Sequence, residues 1–221
     1  MRRPPGGPTS YREPMRSVPW WVLLSSACAP VLLVGGWTIS AVLQGPGYDP
    51  ASATISILAA DGAHGYWVMT SALLGLGVCH VVTACGLRPA ARAGRLALGG
   101  GGVTAMLLAL FPAPSSGGSL DHGTVVAVGF CLLALWPVLA VRRGSGPLAQ
   151  GGAAAPWGLR PGPSLVAAGL MWLGGAWFLL ALFVHDTAGA AERVVTFEQS
   201  FWPLMVAVSC ARGTGGEERP V

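Results

Sequence analysis

Charge is scarce in this chain: only 10% of its 221 residues are Asp, Glu, Lys or Arg, against about 25% in an average soluble domain. Hydrophobic residues make up 52%, and the two figures together exclude an ordinary soluble domain. Lysine is missing, so all 13 basic residues are arginine. Its absence excludes a lysine-bearing phosphate loop and Schiff-base chemistry. Paired cysteines are missing too. Cys28, Cys79, Cys85, Cys131 and Cys210 are odd in number, lie inside apolar runs and show no C-x-x-C spacing, so free thiols are expected. A net charge of +4 would point to nucleic acid in a soluble protein. Here the arginines stand at the ends of apolar segments and read as topology signals, so no nucleic-acid partner is expected.

What the chain has is apolar length. About 20 residues at about 1.5 Å each cross a hydrocarbon core of about 30 Å. Six such runs, at 20–43, 65–87, 93–111, 123–141, 163–184 and 194–211, predict an all-α bundle of six transmembrane helices (20–211). A cleaved signal ending at Ala27-Cys28-Ala29 would have a very short apolar core with Pro30 next to the cut, so the first run is expected to stay as a helix. Residues 1–19 and 212–221 read as cytoplasmic tails, the first disordered, and the Gly, Ala and Pro of 142–162 read as a flexible connector. With the amino terminus inside, 12 of the 13 arginines fall on the cytoplasmic side and only Arg193 outside. That split predicts a multi-pass cell-membrane protein with both termini cytoplasmic. Glycine is abundant, at 33 residues, and much of it lies within the spans; the Gly99 to Gly102 run is expected to let helices approach closely. Trp20, Trp21, Trp67 and Trp136 fall near span ends, where indoles favour the interface.

The same topology sorts the polar residues. Asp49, Asp61, His64, Asp121, His122, His185, Asp186, Glu192, Arg193 and Glu198 all map to the outer side or the outer third of a span. A solvated rim would explain that, but Asp121-His122 opens the fourth span, His185-Asp186 closes the fifth and Glu192-Arg193 opens the sixth, so one mouth of a bundle would gather them. His and carboxylate ligands suit zinc, yet no H-E-x-x-H or H-x-x-x-H spacing occurs, and no metal is assigned. Glu198, about one turn inside the sixth run, is a costly intramembrane carboxylate expected to face the bundle interior or a water-filled cavity; the alternatives are a later helix start that lets it reach the interface, or a pairing with Arg193. His80, in the second run, reads as a core histidine bonded to a neighbouring helix. In the first outer loop Gly45-Pro46-Gly47 breaks the helix, and Asp49-Pro50 fits an N-cap followed by proline at the first helical position. A short helix over 51–60, on or re-entering the membrane, would lid the bundle.

Gly47-Tyr48-Asp49-Pro50 with Thr54-Ile55-Ser56 and Leu58, then Gly86-Leu87-Arg88, Phe111-Pro112, His122-Gly123, Glu192-Arg193 and Trp202-Pro203, resemble the prokaryotic membrane proteins grouped as domain of unknown function 998. The resemblance runs from about Trp20 to Ala211 and departs after Ile55-Ser56, where Ile57 stands at a place often taken by aspartate. It implies a six-helix integral membrane protein and no established activity. Its motif positions are Tyr48, Asp49, Ser56, His122, Glu192 and Arg193.

Two function classes follow. One is a membrane site near the outer face for a lipophilic small molecule or lipid, with His122, Glu192 and Asp49 as candidate acid–base groups and Tyr48, Ser56, Arg193 and Glu198 as candidate binding groups. The other is a non-enzymatic small transporter, a resistance or immunity factor, or a subunit of a membrane complex. Membrane lipids are expected partners in both, and no cofactor is named by any motif.

Overall fold

The computed structural model describes residues 18–115, 117–142, 155–184 and 186–213. Most of each expected tail, much of the 142–162 connector and His185 lie outside the described residues. The described chain is all-helical: α1 (Trp20–Gln44), α2 (Ile55–Leu58), α3 (Tyr66–Gly86), α4 (Arg92–Leu107), α5 (Leu120–Leu139), a 3-10 turn (Trp157–Leu159), α6 (Pro161–Val184) and α7 (Ala188–Gly213). The long helices α1, α3, α4, α5, α6 and α7 form a ring in chain order, each against its sequence neighbours, and α7 returns to α1 to close it.

Five of these helices, all but α4, are long and apolar enough to cross a membrane. The apolar run expected at 93–111 is helical only from Arg92 to Leu107, about 24 Å at 1.5 Å per residue. Beyond it the chain turns through 108–111 and becomes irregular. Outward-facing side chains such as Leu173 and Phe183 are exposed and apolar, the surface that lipid rather than water would cover.

Each end of the ring has its own core. At one end Val22, Leu87, Leu98, Trp136, Leu159 and Val206 pack together. Trp136 is fully buried there, packed in this core and not at an interface as its place in the sequence suggests. Arg95 ties this end by donating to the Ala84 carbonyl at 2.6 Å and the Cys85 carbonyl at 2.8 Å, a cation on the last turn of α3 where helix carbonyls lack partners. At the other end Leu33, Ile55, Leu58, Met69 and Leu76 form a second core beneath the 45–65 loop. All five cysteines are free.

The expected tight packing around Gly99 to Gly102 is real at two of the four positions. A Cβ at Gly102 would lie 2.6 Å from the Gly77 carbonyl oxygen and 2.9 Å from His80 Cβ, and one at Gly101 would run into Leu133. Both glycines thus bring the backbone of α4 close to its neighbours, a small-residue contact of the kind that replaces hydrophobic driving force in lipid. Substituting Gly102→Ala is expected to cost about 1–3 kcal/mol through overpacking and to lower the thermal unfolding midpoint in detergent. Gly175→Ala, where a Cβ meets nothing within 4 Å, should leave that midpoint unchanged or slightly raised.

Candidate functional site

The site is built where the 45–65 loop meets α7. Gly45, at φ +82°, ends α1, and the chain reverses through a turn at Asp49. The Asp49 carboxylate accepts from Ala51 N at 3.0 Å and Ser52 Oγ at 2.7 Å. These bonds, the Ser52 hydroxyl first, hold its carboxyl below the usual aspartate range. The expected helix over 51–60 is absent. Residues 50–52 are turn, and only Ile55–Leu58 is helical, because the cap for this short helix comes from across the molecule.

That cap is Glu192. Its carboxylate accepts from the backbone N–H of Ile55 and, at 3.1 Å, from Ser56 Oγ, and so meets the first free donors of α2. Glu192 is only 4% exposed. It lies inside α7, which begins at Ala188, six residues before the apolar run expected to start it at 194. The early start is possible because the loop supplies acceptors. Gly189 N donates to Ser52 O at 3.2 Å and Ala190 N to Ala51 O at 2.9 Å. Gly189 has no room for a Cβ, which would meet the carbonyls of Ala53 and Pro50.

Arg193 completes the joint. Its Nη1 donates to the carbonyls of Pro50 at 2.8 Å, Ala53 at 3.0 Å and Gly189 at 2.9 Å, and its Nη2 to Tyr48 Oη. The guanidinium also sits 5.8 Å from the Trp37 ring centroid and 5.9 Å from that of Tyr48, within cation–π range. Tyr48 Oη donates onward to Ala53 O at 3.2 Å. Burial pushes the Tyr48 phenol up, against the opposing pull of Arg193. Both side chains therefore face the loop and hold it.

His122 enters from α5. Ser119 caps that helix by accepting from His122 N at 3.3 Å, the sequence-local bond expected of an N-cap serine, and so fixes His122 in the first turn. His122 Nδ1 lies 2.9 Å from the Phe111 carbonyl and Nε2 lies 3.2 Å from Ser56 Oγ. A carbonyl only accepts, so Nδ1 carries a hydrogen and Nε2 is the nitrogen turned to Ser56. The resulting chain runs Phe111 O, His122, Ser56, Glu192. Ser56 has one proton between two partners. It donates to Nε2 when Glu192 holds a proton, or to Glu192 when Nε2 holds one, and a single hydroxyl links the two arrangements.

This chain borders a cavity of about 80 Å³ inside the ring, room for several water-sized groups. Its walls are largely apolar, with Leu76, Val126, Phe130 and Leu133 among them, and its polar lining continues down α7 as Thr196, Gln199 and Ser200. Glu192, Thr196, Gln199 and Ser200 fall at helical spacing on one face, a polar stripe that is legible in the sequence once α7 is started early. His80 also lines the cavity. It is 1% exposed, and neither ring nitrogen finds a partner among the described residues, unlike the helix-bonded histidine expected.

The expected site residues are therefore divided. Ser56, His122 and Glu192 come together, Tyr48 and Arg193 form the adjoining clamp, and Asp49 is exposed in its own turn. Glu198 joins none of them, being six residues after Glu192 and so about 240° round the helix, where it faces α6. Among the described residues no three His, Cys, Asp or Glu side chains are grouped to hold a metal ion.

Helices of this length and apolarity define a multi-pass membrane protein. The family described as protein of unknown function (DUF998) matches residues 27–209, and the chain belongs to that family. No curated protein and no solved structure matches it.

Arg193→Lys is expected to release the loop, because a single ammonium cannot reproduce a planar fork serving four oxygens. Backbone amides of residues 51–56 should then exchange hydrogen markedly faster, with Tyr48→Phe giving a smaller change in the same amides; unchanged exchange in Arg193→Lys would refute the clamp. The Asp49 turn has the opposite sign of a basic group's pH response. Its carboxyl is depressed on folding, so its contribution is complete above the ordinary value of 3.8 and is lost as pH falls through the lower folded value. Amide exchange at Ala51 and Ser52, corrected for the intrinsic rate, should rise only below that pH and should already be raised at neutral pH in Asp49→Ala.

Proposed function

We propose that this protein spans the cell membrane six times, with α4 as one crossing and both termini in the cytoplasm, and that it binds a lipophilic small molecule or lipid in the ring cavity near the outer face. The arginine asymmetry supports the orientation, since it leaves Arg193 as the one arginine on the side of the Glu192 joint. The cavity takes the polar end of the ligand, whose chain leaves between helices toward lipid.

His122 is the acid–base group in this reading, Ser56 relays its proton and Glu192 is the second terminus of the relay. One observation carries it: a titratable imidazole and a buried carboxylate, from α5 and α7, share one hydroxyl at the border of an apolar cavity. Groups so arranged serve proton transfer in a water-poor site. Tyr48, Asp49 and Arg193 are positioning residues that hold Ser56 in the relay through the loop.

Native mass spectrometry of the protein released gently from membranes tests this. A bound mass above the 22.5 kDa chain is expected, lost in His122→Ala and Glu192→Ala but kept in Asp61→Asn, an exposed loop position. Ser56→Ala should keep the bound mass while flattening the pH dependence of its release. Identical bound masses and release profiles in all four variants would eliminate the reading.

A further inference from the structure

On another face of α7 from the relay, α6, α7 and the 3-10 turn at Trp157–Leu159 line a groove of about 400 Å³ that includes the Glu198 carboxylate. Glu198 lies about 15 Å along α7 from its first residue, midway through the hydrocarbon if the helix crosses it. Its Oε2 is buried and has no hydrogen-bond partner among the described residues. A Cβ at Gly174 of α6 would lie 3.4 Å from that oxygen, so the glycine receives the carboxyl against α6. Carboxylates at this depth are rare and, where found, face a partner or a pathway.

The rest of the groove describes what that partner is. Its lining includes Trp157, Phe201 and Trp202, with Met171 and Leu170 opposite, and no Arg or His. The Trp157 and Trp202 rings stand 5.6 Å apart at 58°, two faces of an angled aromatic wall. Aromatic faces attract cations and exclude anions, a carboxylate in low dielectric does so more strongly, and the apolar remainder demands a ligand with a greasy surface. We propose that the α6–α7 groove is a binding site for lipophilic cations, with Glu198 as counter-ion and the Trp157, Phe201 and Trp202 rings as the aromatic wall. This site is separate from the ring cavity and does not depend on the relay. Glu198 is the one titratable group lining the groove on α6, α7 or the 3-10 turn, so a proton and a cation compete for it.

The probe is tetraphenylphosphonium, a permanent cation, compared with tetraphenylborate, its anionic counterpart of the same shape, on the detergent-purified full chain by equilibrium dialysis. The cation should bind saturably and more weakly as pH falls, and the borate should not. Glu198→Gln should weaken cation binding by about tenfold or more, and Trp202→Leu by several-fold. Glu198→Asp should keep the preference for the cation, and Asp121→Asn, at an exposed position, should change nothing. Gel filtration and circular dichroism check that each variant is folded. Equal binding of both probes, unaltered binding in folded Glu198→Gln, or loss in Glu192→Gln with none in Glu198→Gln would each overturn the proposal. So would failure of the cation to bind because a second copy of the chain covers the groove.

Discussion

Everything at the polar end of this molecule depends on one joint, the seating of the Pro50–Ala53 turn on the first turn of α7. Helix ends leave backbone donors unmatched, and in a lipid-facing bundle each unmatched donor is costly. The joint removes that cost from both sides. Loop carbonyls take the N–H groups of Gly189 and Ala190, Arg193 gathers the remaining loop carbonyls, and Glu192 meets the amide of Ile55. Neighbouring residues of opposite charge therefore do complementary work, the cation on acceptors and the anion on donors. Ser56 reaches His122 only because this joint fixes where α2 begins.

The long apolar helices are legible in the sequence because apolar length is a property of segments and survives errors of a few residues. Their ends are not legible. Gly189, Glu192 and Arg193 look like loop residues, and they become helical because a loop more than 130 residues away in sequence supplies their partners. The 51–60 segment carries a plausible local helix signal at Asp49-Pro50, but Asp49 closes a turn and the cap that matters is Glu192. The cap of α5 is local, Ser119 accepting from His122 N, whereas the partner of α2 is distant and lies beyond the reach of local rules.

Glu198 shows the same limit in another form. Depth along the span groups it with Glu192, whereas the turn of the helix sets the two on different faces, one toward the ring interior and one toward α6. Depth is a coordinate along one axis, and function also needs the angle about it. Trp136 shows a related limit: its position near a span end suggests an interface, yet its side chain is part of the core with Val22, Leu87 and Leu98.

The bond between Glu192 and Ile55 joins residues 137 apart, and this separation has a consequence for biosynthesis. A ribosome adding about 5–20 residues per second would finish the α2 segment roughly 7–30 s before it makes the residues that hold it. Throughout that interval the loop lacks its cap, its clamp and its order. The joint is thus the last thing the chain acquires, and it forms only after the final helix has come to rest beside the first, so assembly of the whole ring is a precondition for the contact between Ser56, His122 and Glu192.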